Sequence, residues 1–566
     1  MANHFLPSAE DIPPNRQTEQ HFPDSDYSDL KKANETPISP PFFWSVTVVS
    51  LIVAFLVRIP HFDTPDFPLG EGGLFVLFSE IISKNGFRLP EDVNYSGFNF
   101  PFAYPPAAFY LAGAVSRLTG ASLFSVFYWL PIFLNLLAVP AFCFVAARVT
   151  KNRTVMATAS ILYVQLVHSY IWQITGGGLP RALGALLALL AIGLAFRDAR
   201  SPASRTSISL ISIGLLVGLS ILSHIEWGIF ATTGVALALC TTFGLRRGLF
   251  LSGVAGVGSA IVVAPWLLTI VMRHGLGPFI SISSGSGWDG AEFVLNLLAA
   301  KFFYLVGWAA IPGVYQCVRQ RNWFPLLFTP MIMILTPRMG VSAGLAIPVA
   351  LFAGWGVKAG ADFLRQLMIS DPDVSPRTQE YLTNRTPWGV GVPAISILLV
   401  ISTVLASPVR GNSADFSTLR QVNSNSRAAM LWASQHTSLD ARFVIISSGT
   451  GWWGDRMAEW FPYLSRRNSL TTAQGTEWVS GGEFSKRKEA IEKLKMVQVA
   501  APNLLPVFVR VTYDAATNVA VFYPKAHATR RAFAESACFK VVFENSDAAI
   551  FETQSPGCVS AAEKGL

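Results

Sequence analysis

"YPPAAFYLAGAVSRLTG", residues 104–120, decides how this chain is threaded. The segment is apolar enough to compete as a membrane span, yet short for one. The chain around it is 566 residues long, 51% hydrophobic and 14% charged. Ordinary soluble domains carry roughly 25% charged residues. Apolar runs recur at 42–59, 123–147, 154–172, 182–197, 206–223, 227–244, 249–271, 293–315, 323–336, 341–357 and 388–407. Runs of this kind define a polytopic α-helical membrane protein. Loop charge then settles the status of 104–120. If it stays out of the bilayer, one set of loops holds Arg148, Lys151, Arg153, Arg197, Arg200, Arg205, Arg246, Arg247, Arg319, Arg321, Lys358, Arg365, Arg377 and Arg385. The opposite set holds mainly Lys84, Arg88, Arg181, Arg273 and Arg338. If 104–120 crossed, every later loop would invert and the basic loops would face outward. The segment is therefore expected to be a helix at the outer face. About 11 transmembrane helices follow, with a cytoplasmic N-terminus.

Working outward, residues 60–122 form one long outer loop. It carries Asp63, Asp66, Glu71, Glu80, Glu91 and Asp92 against Lys84 and Arg88. Residues 1–40 hold seven acids, three basic residues and several prolines, and are expected to be a disordered cytoplasmic tail. They lack the basic start and short apolar core of a secretory signal. The transmembrane part is expected over 41–410. From about 411 to 566 the composition turns polar and mixed, which suggests a soluble extracytoplasmic α/β domain. There "RFVIIS" (442–447) reads as a buried strand and "SKRKEAIEKLKM" (485–496) as a helix. "ACFKVVFENSDAAIFET" (537–553) reads as two strands joined at Asn545-Ser546-Asp547. Cys143, Cys240 and Cys317 lie in or beside apolar runs and read as small core residues. Cys538 and Cys558 are able to pair if their region faces an oxidising compartment. The net charge of +8 does not point to nucleic acid, because topology explains the basic residues.

Four groups could carry chemistry. In the outer loop a solvated acidic surface accounts for most of the six carboxylates. Glu71 stands out in "DFPLGEGGLF" (66–75), since two glycines and a helix follow it, and a carboxylate suits a helix start. It is the expected catalytic acid or base, with Asp66 as the next choice and Asp63 behind it. Arg181, Arg338, Arg273 and His274 sit at outer ends of spans. Arginine there either snorkels to the interface or holds an anion such as a lipid phosphate. His224 and Glu226 form an ionisable pair between two spans, and either bond each other or line a site. His168, inside an apolar run, reads as a satisfied core residue. Trp452, Trp453, Asp455, Glu459 and Trp460 crowd into "GWWGDRMAEW" (451–460). Aromatic faces beside carboxylates hold sugars, though they also build domain cores. No metal-ligand spacing, glycine-rich phosphate loop or nucleophile–base pattern occurs.

These residues carry a resemblance. A first span, a long outer loop with an early acid, and a helix opened by "YPP" resemble the GT-C superfamily of membrane glycosyltransferases. The likeness is to the family 39 type, which includes protein O-mannosyltransferases and the lipid A aminoarabinose transferase. "FAYPPAAFYLAGAV" (102–115) is similar to the aromatic-Pro-Pro segment that closes the family's loop, which puts Tyr104 among the substrate-binding residues. "GGGLPRALG" and "LTPRMGVSAGLAIPVALFAGWG" are similar to recurring segments of bacterial members. The resemblance implies that Glu71 is the catalytic residue. Trp452-Trp453-Gly454-Asp455 also resembles, in part, the Trp-Trp-Asp-Tyr-Gly motif of oligosaccharyltransferases. The loop "WQITGGGLPRA" lacks the acid of their metal site, which favours a metal-independent, inverting transferase without a cofactor.

The implied partners are a polyprenyl-phosphate sugar donor, the bilayer, and an acceptor lipid, glycan or protein. The implied location is a bacterial plasma membrane, with transfer on the extracytoplasmic side. Two other classes compete. A transporter would show an internal repeat and charged, broken spans at mid-membrane. A non-catalytic sugar- or lipid-binding scaffold could use the same fold without Glu71 chemistry.

Overall fold

The computed structural model describes residues 38–58, 67–196, 203–285, 304–335, 341–370, 375–376, 378, 422–449, 451–479, 481–513 and 517–554. Asp63, Asp66, Arg338, Cys558 and the expected span at 388–407 lie outside the described residues, as does most of the expected N-terminal tail. So does the first half of the expected span at 293–315.

Helix α1 (Pro40–Arg58) opens on prolines, which fit a first helical turn because its N–H groups have no intrahelical acceptor. Helix α2 (Gly73–Lys84) follows, then a hairpin of β1 (Asp92–Tyr95) and β2 (Phe98–Pro101). Helix α3 (Ala107–Thr119) is the segment that decides the threading. At 13 residues it is about 20 Å long, short of a hydrocarbon core. Its end is set by Gly120 in the left-handed region.

The apolar helices come next: α4 (Leu123–Thr150), α5 (Arg153–Gln165), α6 (Leu179–Ala195), α7 (Ala203–Ser223), α8 (Ile225–Phe243), α9 (Leu245–His274) and α10 (Gly277–Gly285). They continue with α11 (Tyr304–Arg319), α12 (Trp323–Leu335) and α13 (Val341–Ser370). Among the described residues, six helical stretches are long and apolar enough to cross a bilayer: Pro40–Arg58, Leu123–Thr150, Gly176–Ala195, Ile225–Phe243, Leu245–His274 and Ala343–Ser370. Ser209–Ser223 and Trp323–Leu335 are shorter apolar helices. The run expected as a span over 154–172 stops being helical at Gln165. A 3-10 turn at Val167–Ser169 follows, and then another at Gly176–Gly178. The physical reason is a polar knot. Arg58 Nε donates to Asn135 Oδ1 at 2.8 Å, and Asn135 Nδ2 donates to Ser169 O at 3.1 Å and Gln173 Oε1 at 2.7 Å. The Arg58 guanidinium lies 4.4 Å over the Tyr170 ring. These bonds hold 167–173 as turns at the end of α1 and beside α4.

Beyond residue 422 the chain forms α14 (Ser424–His436), β3 (Arg442–Ser447), α15 (Arg456–Ser465), β4 (Asn468–Ser469), α16 (Glu483–Ala500) and α17 (Leu505–Thr512). Then come β5 (Thr517–Phe522), α18 (Ala528–Glu535), β6 (Phe539–Glu544) and β7 (Ala549–Thr553). The sheet runs β4-β3-β5-β7-β6, parallel across β4, β3 and β5 and antiparallel at β7 and β6. The strands at 442–447 and within 537–553, and the helix over 485–496, match the expectations from sequence. The turn between β6 and β7 closes through Asn545 Oδ1, which accepts from Asp547 N at 3.0 Å and Ala548 N at 2.8 Å. Cys538 is disulfide-bonded, whereas Cys143, Cys240 and Cys317 are free.

Strand β3 alternates between two cores, because successive strand residues face opposite ways. Val444 and Ile446 pack with Val509, Val519 and Phe551 on one side. Phe443 and Ile445 pack with Trp460, Phe78, Phe100 and Phe109 on the other. The second core therefore draws on α2, α3, the hairpin and α15 at once. The stretch from Phe67 to α3 and the C-terminal region share one apolar interior.

Candidate functional site

Glu71 lies just before α2, and three elements surround it, two of them continuous in the chain. The first is the turn Gly176–Gly178. Gly176 N donates to Leu69 O at 2.8 Å and Gly177 N donates to Glu71 O at 2.6 Å. A Cβ on Gly177 would stand 2.3 Å from Glu71 Cγ, so only glycine lets the turn lie on this side chain. The second is the start of α6, where Arg181 Nη1 donates to Glu71 Oε1 at 2.8 Å and to Trp172 O at 3.1 Å. The third is α15, where Arg456 Nη1 donates to Glu71 Oε2 at 3.2 Å and to Trp453 O at 3.1 Å. The two guanidinium groups lie 6.0 and 5.8 Å from the Trp172 ring centre. Burial pushes the Glu71 carboxyl upward, but Arg181 and Arg456 outweigh it and hold it below the usual glutamate range.

Helix α15 supplies more than Arg456. Residues i, i+3 and i+4 share a helix face, and Arg456, Glu459 and Trp460 occupy it. Gly72 N donates to both Glu459 oxygens at 3.1 and 3.2 Å, and Leu74 N donates to Oε1 at 3.4 Å. Glu459 thus caps the N-terminus of α2 from another part of the chain. Trp460 Nε1 donates to Gly70 O at 2.8 Å, and its ring stands 4.6 Å from Phe67. Tyr95 OH donates to Glu459 O. Gly72 has φ 155°, a conformation that a side chain would strain, and a Cβ there would press on Trp460 Cζ2 at 3.1 Å. Glu459 is pushed up to about 7 by burial and by the Glu71 charge, with the Gly72 and Leu74 amides and Arg456 opposing.

The other expected residues separate into two groups. Tyr104 stays near the centre, within electrostatic reach of Arg181, Glu226, Glu71 and Glu477. His224 Nδ1 and Glu226 Oε2 are 4.0 Å apart at the head of α8, and both lie within electrostatic reach of Arg181. Trp453 is half exposed beside Arg456, while the Trp452 ring packs edge-on against Phe484 at 5.0 Å. Asp455 is held elsewhere. It caps α15 through Ala458 N at 3.0 Å, accepts from Ser447 Oγ at 2.6 Å, and pairs with Lys495 Nζ at 2.7 Å. Arg273 Nη1 donates to Leu89 O at 3.3 Å and Pro90 O at 3.2 Å, away from Glu71. His274, next to it, has a buried Nε2 without a hydrogen-bond partner among the described residues.

Three residues that the sequence did not single out belong here: Arg456, Trp172 and Glu477. The signal for Arg456 was its i, i+3, i+4 relation to Glu459 and Trp460. Glu477 lies in the 3-10 turn Thr476–Trp478, beside the Trp478 ring that meets Tyr104 at 6.1 Å. Its Oε2 is buried with no hydrogen-bond partner among the described residues. Burial lifts this carboxyl to about 7, with backbone amides opposing. Nothing in the local pattern marks it. Among the described residues no group of His, Cys, Asp and Glu is arranged to hold a metal ion.

With a loop carboxylate, a helix of the apolar bundle and a sheet-bearing C-terminal region converging on one point, the chain has a GT-C glycosyltransferase-like fold. It resembles the archaeal oligosaccharyltransferase AglB from Archaeoglobus fulgidus, in complex with an inhibitory peptide and a dolichol-phosphate. That match has a TM-score of 0.54 at 13% identity and covers 90% of this chain and 74% of that one. It also resembles ArnT from Cupriavidus metallidurans bound to undecaprenyl phosphate, with a TM-score of 0.53 at 13% identity, over 89% of this chain and 97% of that one. The mycobacterial arabinofuranosyltransferase AftD aligns with a TM-score of 0.50 at 11% identity, over 93% of this chain and 41% of that one. No protein-family model and no curated sequence matches the chain.

Proposed function

We propose that the protein is a membrane glycosyltransferase that moves a sugar from a polyprenyl-phosphate donor to an acceptor on the extracytoplasmic side. The observation that carries this reading is Glu71: a carboxylate at the start of a helix, wrapped by a glycine turn and flanked by two arginines. The lipid phosphates named for the AglB and ArnT structures support the choice of donor class.

In this reading the donor lies between apolar helices with its phosphate toward Arg181. Arg273, bonded to Leu89 O and Pro90 O, is a further basic group on this side, and the sequence expects Arg338, outside the described residues, there too. Glu71 removes the proton of the acceptor hydroxyl as its oxygen attacks the anomeric carbon. The bond from that carbon to the phosphate oxygen breaks, and the configuration inverts. The lipid phosphate departs with the bonding electrons, its charge stabilised by arginine. Tyr104, His224, Glu226, Trp453 and Glu477 line the surroundings where the sugar and acceptor sit. The step asks for no metal. The N-terminus lies in the cytoplasm, α3 lies at the outer face, and the C-terminal sheet region lies outside, as the loop charges imply.

The test is turnover of a panel of polyprenyl-phosphate sugars by the purified protein beside Glu71→Gln. Wild type should hydrolyse or transfer one donor, and Glu71→Gln should be slower by about 10²- to 10⁴-fold. Near-normal activity of Glu71→Gln sinks the assignment of the base. Equal binding of a donor by both proteins with no turnover by either, even with acceptors supplied, favours a scaffold.

A further inference from the structure

Arg456 is 4% exposed, and its Nε has no hydrogen-bond partner among the described residues. Its Nη1 is given to Glu71 and to Trp453 O. Arg181 likewise gives Nη1 to Glu71 and to Trp172 O. Both guanidinium groups face the Trp172 ring from similar distances, so they flank one spot. Two positive charges thus meet one fully ionised carboxylate. Of the other nearby acids, Glu459 spends its oxygens on the α2 amides, and Glu226, within electrostatic reach of Arg181, stands 4.0 Å from His224 Nδ1. A buried guanidinium with an unused N–H beside a second one is built to grip an oxyanion by its fork.

We propose that Arg456 completes the phosphate clamp with Arg181, and that the donor's phosphate draws both arginines off Glu71, freeing the carboxylate to act as base. This rests on the transferase reading. Without donor, the two arginines stabilise Glu71 as a carboxylate and lower its basicity. Phosphate competes for the same N–H groups and brings its own negative charge, so the basicity of Glu71 rises only when a donor is present. Solvent hydroxyls are then not activated at an empty site. The C-terminal region, which carries Arg456, becomes part of donor recognition as well as of the outer wall.

The experiment is equilibrium binding of polyprenyl phosphate to wild type, Glu71→Gln, Arg456→Gln and the double variant Glu71→Gln/Arg456→Gln, with thermal melts of each. Glu71→Gln should bind more tightly than wild type by about threefold or more, because a competitor for the arginines is gone. The double variant should bind about 10- to 100-fold more weakly than Glu71→Gln. In that background Arg456 has no ion pair left, and its remaining bond to Trp453 O would affect polyprenol and polyprenyl phosphate alike if its role were purely structural. Equal affinities of the two therefore overturn the proposal, even if Arg456→Gln alone fails to fold. Polyprenol lacking phosphate should bind all four alike, and the same loss with polyprenol overturns it too. Inorganic phosphate binding as tightly as polyprenyl phosphate, with the same dependence on Arg456, would reassign the clamp to a soluble anion. If wild type binds no polyprenyl phosphate, the transferase reading falls along with the clamp. If wild type binds it and Arg456 does not matter, only the clamp falls.

Discussion

At the scale of single residues, the site is a contest over one carboxylate. Burial alone would raise the Glu71 carboxyl, and two arginines reverse the direction. The consequence is a pH profile. The acid limb of kcat/KM reports groups in the free enzyme, so it should fall below the ordinary glutamate value of 4.5. Arg456→Gln removes one of the two positive charges, which raises the carboxyl and moves the limb to higher pH. Rate profiles of the two proteins check this; coincident limbs would mean that Glu71 is not the titrating group. Asp455 and Glu459 show why composition misleads at this scale. Both sit in one tryptophan-rich stretch, yet one caps its own helix and the other caps α2, at 387 residues' remove. A sequence shows that a carboxylate is near an aromatic. It does not show which N–H groups will claim its oxygens, since these come from distant segments.

At the scale of elements, the site depends on a turn rather than a helix. The three glycines at 176–178 place main chain against Glu71, and an added methyl at 177 has no room. Gly177→Ala should cost about 1–3 kcal/mol through overpacking and lower turnover tenfold or more by shifting Glu71. Melting temperature and initial rate read the two effects, and an unchanged rate would place the turn outside the machinery. Most helices were legible because their apolar runs are long, and the short one within 104–120 was expected as a helix too. The strand at 442–447 was legible from its unbroken apolar run. The end of α5 at Gln165 was not. An apolar run signals burial, and buried chain held by Arg58, Asn135 and Gln173 reads the same as a span. Arg456 was hidden for a related reason: a buried charge is recognised by its partner, and Glu71 lies far away in the sequence.

At the scale of the whole molecule, the stretch from Phe67 to α3 and the C-terminal region are joined by one apolar core and by Glu459 across it. Glu459 titrates at about 7 in the folded protein against 4.5 for an unperturbed glutamate. The folded state therefore binds its proton more tightly than the unfolded state. The stability this contributes is complete below about pH 4.5 and is lost as the pH rises through about 7. Glu459→Gln should flatten that slope. Its melting temperature, relative to wild type, should be higher at about pH 8 than at about pH 5. Parallel curves would show that Glu459 keeps its charge in the folded state.

The contact between Arg456 and Glu71 bridges 385 residues, and this separation is also an interval of synthesis. When a ribosome has made α1 through α13, Glu71 still lacks one arginine and the Glu459 cap beside it. Only after residue 460 has emerged and α15 has docked does the carboxylate acquire its full surroundings. The nascent chain therefore carries Glu71 only partly surrounded, and Arg456 and Glu459, made some 385 residues later, complete its environment.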